Sequence, residues 1–401
     1  MSKKDLKYNL LTKLEEIANV LCDSTDKFDN LGTLAGISGL ALFMFYYSRF
    51  TDDSKYAKIG EQTLEKAVNM INDGYQIHTF CSGISGLAWT CEHLVKQKFI
   101  NREGVSFLKE LEPYLLSCVE KKFETGFYDF LHGGMGIGYY FITAQKTNRK
   151  AITMLLNFLE QTAEKMPDGS LKWRSVLNSE TNLVGYNICL SHGISSIVAC
   201  LSKLIKCHPD FTDKVTPLLL GSVNYILQQK LSKPQFSYFP YYSLESFPNS
   251  QHSRLSWCYG DLGIAHSIFM ASKVLYSKEW EDFAIKVLTH SCYRKGTHED
   301  SVCDAGLCHG SSGVAHIFYR LYLDTNKCIY KEAAEYWFKK TLEYSIFGHE
   351  CAGYKRVIFI NNNEVWEYNF ELLTGITGIG LSIISYLNQE LISWDECLLL
   401  S

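Results

Sequence analysis

Two thiols and an imidazole occupy matched places in this sequence. Cys258 lies two residues before Gly260 in Trp257-Cys-Tyr-Gly260, and Cys308 lies two residues before Gly310 in Cys308-His-Gly310, with His309 between them. Two cysteine sulfurs and one imidazole nitrogen are a zinc donor set. Three protein ligands leave the fourth position of a tetrahedral site open to a water or a substrate atom. The two segments are 50 residues apart, so this chemistry needs a fold that brings them together. Two other readings stand beside it. Cys303, with four residues between it and Cys308, would supply a fourth ligand and make the metal structural, although no matching pair accompanies Cys258. Alternatively, both thiols are buried small hydrophobes.

The elements that would position these residues come from a repeat. A Gly-x-x-Gly signature occurs as Gly36-Ile-Ser-Gly39, Gly83-Ile-Ser-Gly86, Gly133-Gly-Met-Gly136, Gly260-Asp-Leu-Gly263, Gly310-Ser-Ser-Gly313 and Gly375-Ile-Thr-Gly378, and once with a closing serine as Gly193-Ile-Ser-Ser196. Successive copies start 47 to 67 residues apart, room for two helices and their connections. Several copies lead into runs such as Leu40-Ala-Leu-Phe-Met-Phe-Tyr-Tyr47, apolar nearly all round, as a helix enclosed by others is. The segment Lys58 to Ile71 is amphipathic, with Leu64, Ala67, Val68 and Ile71 on one face. The pattern predicts an all-α fold, an α/α toroid in which seven helical hairpins form a closed double ring over residues 1–401 as one domain. Glycine suits the start of an inner helix because it permits a positive φ and lets backbone or ligand come close. In a closed ring all seven turns gather at one end, so residues remote in sequence meet there.

Composition narrows the classes of function. With 401 residues, 46% of them hydrophobic, and only 7 prolines, the chain can bury a large core. A net charge of −4 without a basic stripe argues against a nucleic-acid partner. The start, Met-Ser-Lys-Lys-Asp-Leu, lacks the apolar core of a signal peptide, and the apolar stretch from Leu34 to Tyr47 is too short to span a bilayer. A cytoplasmic protein is expected, so its 14 cysteines are read as thiols rather than as a disulfide scaffold. Cys91, Cys118, Cys200, Cys292 and Cys397 belong to expected helices and buried roles, while Cys81, Cys189, Cys258, Cys303 and Cys308 lie near the glycine turns.

Trp257-Cys-Tyr-Gly260, Cys308-His-Gly310 and Ser191-His-Gly193 together resemble the lanthionine synthetase C-like family, which includes the cyclases of lantibiotic biosynthesis. The resemblance extends over essentially the whole chain. It implies Zn2+ held by Cys258, Cys308 and His309, with the thiol of a substrate peptide in the fourth position. The implied reaction joins that thiol to a dehydroalanine or dehydrobutyrine of the same peptide, closing a lanthionine or methyllanthionine thioether ring. It further implies that His192 is the active-site histidine, a proton donor or a base toward the thiol. Asp129 matches the aspartate that supports it, and Arg254 an arginine that stabilises the enolate. Tyr259 is a weaker candidate for the same region. The implied partners are a dehydrated precursor peptide, a separate dehydratase and a transporter, with the protein cytoplasmic or peripheral to a membrane complex.

Each of these residues has a plainer reading. His192 holds the turn position of His309, as does His132, for which the family pattern gives no role; such a histidine can simply bond backbone. Asp129 and Asp261 can cap helices, and Arg254 can be a surface ion-pair partner. Ser196 departs from the signature. The aromatic segment 232–253, with Phe236, Tyr238, Phe239, Tyr241 and Tyr242 among Pro234, Pro240 and Pro248, is long for a bundle connection and either extends over the mouth of the ring or is a surface excursion. Other functions also fit a helical ring. The same resemblance also implies, as an alternative, a LanC-like enzyme that adds glutathione to dehydroamino acids in proteins with this fold and zinc site, and a non-catalytic peptide-binding scaffold would use the ring alone. Prenyl transfer to a zinc-bound thiol needs an acidic ligand and a basic diphosphate pocket, and neither is evident near Cys258.

Overall fold

Every glycine signature opens a helix that is buried on nearly all sides. The computed structural model describes residues 3–178, 180–232, 236–245, 252–361 and 363–401. In it the inner helices are α2 (Ile37–Thr51), α4 (Ile84–Lys96), α6 (Gly134–Thr143), α8 (Ile194–Cys207), α10 (Asp261–Val274), α12 (Ser311–Thr325) and α14 (Ile376–Asn388). They alternate with outer helices α1 (Lys3–Cys22), α3 (Ser54–Asn72), α5 (Leu108–Glu124), α7 (Arg149–Thr162), α9 (Thr212–Gln228), α11 (Lys278–Ser291) and α13 (Cys328–Glu343). The last inner helix, α14, packs on the first, α2, which closes the α/α toroid expected from the repeat. On the amphipathic α3 the fully buried line is Tyr56, Gly60, Thr63 and Ala67, with Leu64 and Ile71 at its margin, a face turned slightly from the one read off the sequence. Among the described residues no helix is long and apolar enough to cross a membrane.

At the mouth the turns are stitched to one another through the residue two places before each first glycine. The N–H of Leu34 bonds the Cys81 carbonyl at 3.2 Å, Cys81 bonds Leu131 at 3.0 Å, Cys258 bonds Cys308 at 3.3 Å, Cys308 bonds Leu373 at 2.8 Å, and Leu373 returns to Leu34 at 2.8 Å. In the fourth turn the bond to the Cys258 carbonyl comes from Leu190, three places before Gly193, at 3.2 Å, with the Ser191 N–H at 3.5 Å. Between the third and fourth turns the described residues show no backbone bond.

The glycines are there for proximity more than for an unusual backbone. Among the glycines that open the seven signatures only Gly260, at φ +120°, has the positive φ expected there; Gly83, at φ −121°, is extended. A Cβ on Gly83 would lie 2.3 Å from the Ile77 carbonyl oxygen. At the second glycine the preceding turn comes close: a Cβ on Gly86 would lie 2.6 Å from Thr33 N, and one on Gly263 2.8 Å from Leu190 Cβ. Ser196 occupies this place in the fourth turn, facing the unstitched seam, and its Oγ bonds the Gly193 carbonyl at 2.7 Å. The serine is accommodated at the one junction without a backbone bond to hold the turns close.

The axis of the ring is filled by the chain itself. A 3-10 turn at Trp394–Leu398 and the two residues after it are buried, and together with Ser393 just before the turn they touch every inner helix. Ser393 bonds Tyr46 of α2, Glu396 meets His93 of α4 at 3.4 Å and Lys203 of α8, and its carbonyl accepts from Tyr139 of α6 at 2.8 Å. Leu400 O lies 3.0 Å from His266 Nε2 of α10, Asp395 lies 2.8 Å from His316 of α12, and the Trp394 indole donates to Ser385 of α14 at 2.8 Å. Cys397, expected within a helix, lies in this turn. Burying two carboxylates on the axis is tolerable because cations and hydrogen-bond donors surround them.

Short antiparallel strands decorate the connections. β1 (Glu164–Lys165) pairs with β2 (Leu171–Lys172), while β3 (Ser175–Asn178), β4 (Leu183–Asn187) and β5 (Tyr242–Ser243) form one sheet. β6 (Arg356–Ile360) pairs with β7 (Asn363–Glu367).

Candidate functional site

The stitching of the fifth and sixth turns brings the spaced thiols together. The ligand atoms of Cys258, Cys308 and His309 all lie within 4.8 Å of one another, and Cys258 is buried. Its neighbour Trp257 is locked by its indole N–H, which donates to Leu398 O on the axis at 2.8 Å. The thiol hydrogen bond from Cys308, opposed by burial and aided by His309, holds Cys258 well below the ordinary thiol range. Burial works against a charged His309, but Cys258 outweighs it and raises that pKa. Asp304 stands behind His309, its Oδ2 4.0 Å from Nε2, and is held by the backbone N–H groups of Gly306 at 2.9 Å and of Val357 on β6 at 3.1 Å. Two soft sulfurs and one nitrogen at this separation fit zinc. The Cys303 sulfur points to the Thr297 carbonyl at 3.8 Å and stands outside the cluster, so the three-donor set is not closed by a fourth cysteine.

Across the mouth, the unstitched seam is joined by side chains. His192 Nδ1 lies 2.6 Å from Asp129 Oδ2, while Asp129 Oδ1 accepts the His132 N–H at 2.7 Å. Asp129 therefore both shapes its turn and orients the histidine. Burial lowers the pKa of His192, but the hydrogen bond and charge of Asp129 reverse this and raise it. The His132 ring lies 6.1 Å from that of His192, near parallel. Tyr259, whose ring is 5.9 Å from His192, takes a hydrogen bond from Asn187 at 3.4 Å. Arg254 has no ion pair among the described residues, and its buried Nε has no partner. Its guanidinium lies 5.8 Å from the Tyr241 ring, and the charges of Cys258 and Cys308 help raise its pKa against burial. Its sequence-level reading as a surface ion-pair residue is not met.

The described part of the aromatic segment reaches the site. Tyr241 packs between Arg254 and Tyr259, 6.0 Å from the latter ring; residues 233–235 and 246–251, with Pro234 and Pro248, lie outside the described residues. Asp261 anchors the segment. Instead of capping α10, its carboxylate accepts the N–H groups of Tyr238 at 2.9 Å and Phe239 at 3.0 Å, because it is the first residue of that helix and faces inward. Burial raises its pKa to about 6 despite Arg294 nearby.

With this geometry in view, the chain matches the family of lanthionine synthetase C-like proteins over residues 27–399. The chain belongs to that family. Its fold is similar to that of a nisin cyclase at TM-score 0.73 and 20% identity, covering 99% of this chain and 98% of the other. No curated protein sequence matches it. The Trp-Cys-x-Gly and Cys-His-Gly turns of this chain are adjacent in space.

All 14 cysteines are free thiols. Cys91, Cys118, Cys200, Cys292 and Cys397 are buried, and so are Cys81 and Cys189. Cys189 Sγ accepts the His192 N–H at 3.3 Å, and burial pushes its thiol up to about 12. Sequence reasoning did not identify Asp304, Tyr241 as a partner of Arg254, or the axial segment that fixes Trp257. A carboxylate four residues before Cys308 carries little signal alone, and contacts over 141 positions carry none.

Proposed function

We propose that this lanthionine synthetase C-like protein is a zinc-dependent lanthipeptide cyclase. The observation that carries the reading is the convergence of Cys258, Cys308 and His309 at the same mouth as a histidine held by a carboxylate. Cys258, Cys308 and His309 would hold the metal. When bound, zinc lowers the pKa of an incoming thiol so that the thiolate is available at neutral pH, and two protein sulfurs leave that thiolate more electron-rich than three imidazoles would.

The substrate thiolate adds to the β-carbon of a dehydroalanine or dehydrobutyrine in the same peptide. One C–S bond forms, the C=C π pair moves to the α-carbon and its carbonyl, and an enolate results. Arg254, cationic and with an unpartnered donor, faces that developing charge. His192 holds the proton that the α-carbon takes, and Asp129 fixes the ring so that Nε2 is the exchanging nitrogen. Tyr259 bounds the space beside His192. The reading carries with it a cytoplasmic location, a separate dehydratase and a transporter.

Elemental analysis of the parent and of Cys308→Ala, together with a thiol-alkylation assay on a dehydrated peptide, tests it. About one zinc per chain and loss of alkylatable thiol in the parent, with both absent in the variant, is the expected outcome. Parent protein prepared without chelator that holds no zinc, or that leaves peptide thiols free while glutathione adds to the same dehydro residues, overturns it.

A further inference from the structure

A cavity of about 580 Å³ opens beside His192, with Asp129 and Tyr259 in its wall. Its wall also includes residues of β3, of β4 and of the connection into the third turn. There Val176 stands directly across from Val184 in the strand register, and Phe127 lies on the same cavity. The three side chains are 65%, 44% and 42% exposed. Bare valines paired across two strands leave apolar area in water that a partner would remove. The charges of the cavity are already matched: Asp129 holds His192 at 2.6 Å and Arg174 holds Glu164 at 3.1 Å. The sheet is held in place at its flanks: Lys172 holds Glu245 at 2.6 Å and the Tyr186 hydroxyl bonds Glu164 at 2.7 Å. A preformed cavity that sets exposed apolar side chains beside an imidazole is a place for a substrate side chain.

The geometry points to a peptide subsite: the cavity receives an apolar side chain flanking the dehydro residue presented to His192, and Phe127, Val176 and Val184 set that preference. This rests on the cyclase reading for its occupant, and continuity with His192 argues for that occupant. Burying a Leu- or Phe-sized side chain there is worth about tenfold or more in affinity over a charged one.

The test measures binding apart from chemistry. Two fluorescent peptides, each with one dehydroalanine flanked by Phe or by Lys and with Ser replacing the reacting Cys, are titrated by anisotropy into the full chain, Val184→Asp and Val176→Ser. The Phe peptide is expected to bind about tenfold tighter to the parent, with most of that preference lost in Val184→Asp and part in Val176→Ser at unchanged melting temperature. Should Val184→Asp lose its fold, Val184→Thr, which keeps the shape and adds a hydroxyl, is read in its place. Equal binding of the two peptides, or a preference untouched by either variant, overturns the subsite. The same peptides with Cys restored separate the two readings. A binding preference without ring closure keeps the subsite and removes the cyclase, whereas ring closure without a binding preference keeps the cyclase and removes the subsite.

Discussion

The second and third turns of the ring are built almost as the fifth and sixth are. Cys81 occupies the place of Cys258, Leu131-His-Gly133 the place of Cys308-His-Gly310, and the backbone bond between the turns is the same, 3.0 Å from Cys81 to Leu131 against 3.3 Å from Cys258 to Cys308. One pair collects three donors within 4.8 Å. In the other, a leucine stands where the second sulfur would be, and burial pushes the solitary Cys81 thiol up to about 12. A cysteine at the right turn position is thus not yet a ligand; its neighbour in the ring decides. The third turn has gone another way. Its His132 backbone and Asp129 serve His192 across the seam, so the same kind of turn that carries a sulfur in one half orients an imidazole in the other.

The comparison breaks most visibly with paired alanines. Cys258→Ala is expected to remove the metal and to slow ring closure by a factor on the order of 10³ or more, while Cys81→Ala keeps the metal and costs about 1 kcal/mol of stability. Equal loss of zinc in both variants, measured by elemental analysis, would show that ring position and not neighbourhood defines the ligand.

Next comes the seam. Asp129→Asn is expected to cut cyclisation roughly ten- to a hundredfold. The sign of its pH effect follows from the raised pKa of His192: Asp129 keeps the proton on as pH rises past the ordinary histidine value of about 6.5. Activity that needs protonated His192 therefore falls as pH rises through that elevated pKa. Removing the carboxylate leaves burial opposed only by the charge of Cys258, so the alkaline limb moves to lower pH. A pH–rate profile whose alkaline limb stays in place would detach Asp129 from His192.

The stitched and unstitched junctions should also differ in stability. Gly263→Ala places a Cβ 2.3 Å from the Trp257 carbonyl oxygen and 2.8 Å from Leu190 Cβ, and is expected to cost about 2–3 kcal/mol in urea unfolding. Ser196→Gly, at the seam, should cost about 1 kcal/mol. Similar losses in the two would contradict the looser packing assigned to that junction. The smallest effect, and the sharpest test of the analogy, is Leu131→Cys. It would complete the donor pattern with Cys81 and His132 and is expected to add weak binding of up to about one further zinc per chain. Unchanged metal content at saturating zinc would mean that His132 is held away by its own turn.

Much of this was legible in one dimension. Gly-x-x-Gly ahead of apolar runs marks the inner helices, because only a residue without a Cβ lets neighbouring turns approach as Gly86 and Gly263 do. The matched offsets of Cys258 and Cys308 from their glycines marked the donor pair, since the same offset in adjacent turns of a ring means the same height on its rim. Asp261 was misread because a carboxylate at the start of a helix is ordinarily a cap, and here the aromatic segment competes for it. The small sheet went unseen because strands of two to five residues lack a readable period.

The sequence by itself determined the ring, the number of its hairpins and the chemical types gathered at its mouth, since these follow from local steric and hydrophobic periodicity. Tertiary structure decided which of the like-placed residues became partners: Cys258 with Cys308 while Cys81 meets a leucine in place of a second sulfur, Asp129 with His192 across a seam where the described residues show no backbone bond, and the axial segment with Trp257. Those pairings depend on closing a ring in which residues remote along the chain become nearest neighbours. No local propensity encodes the distance between them.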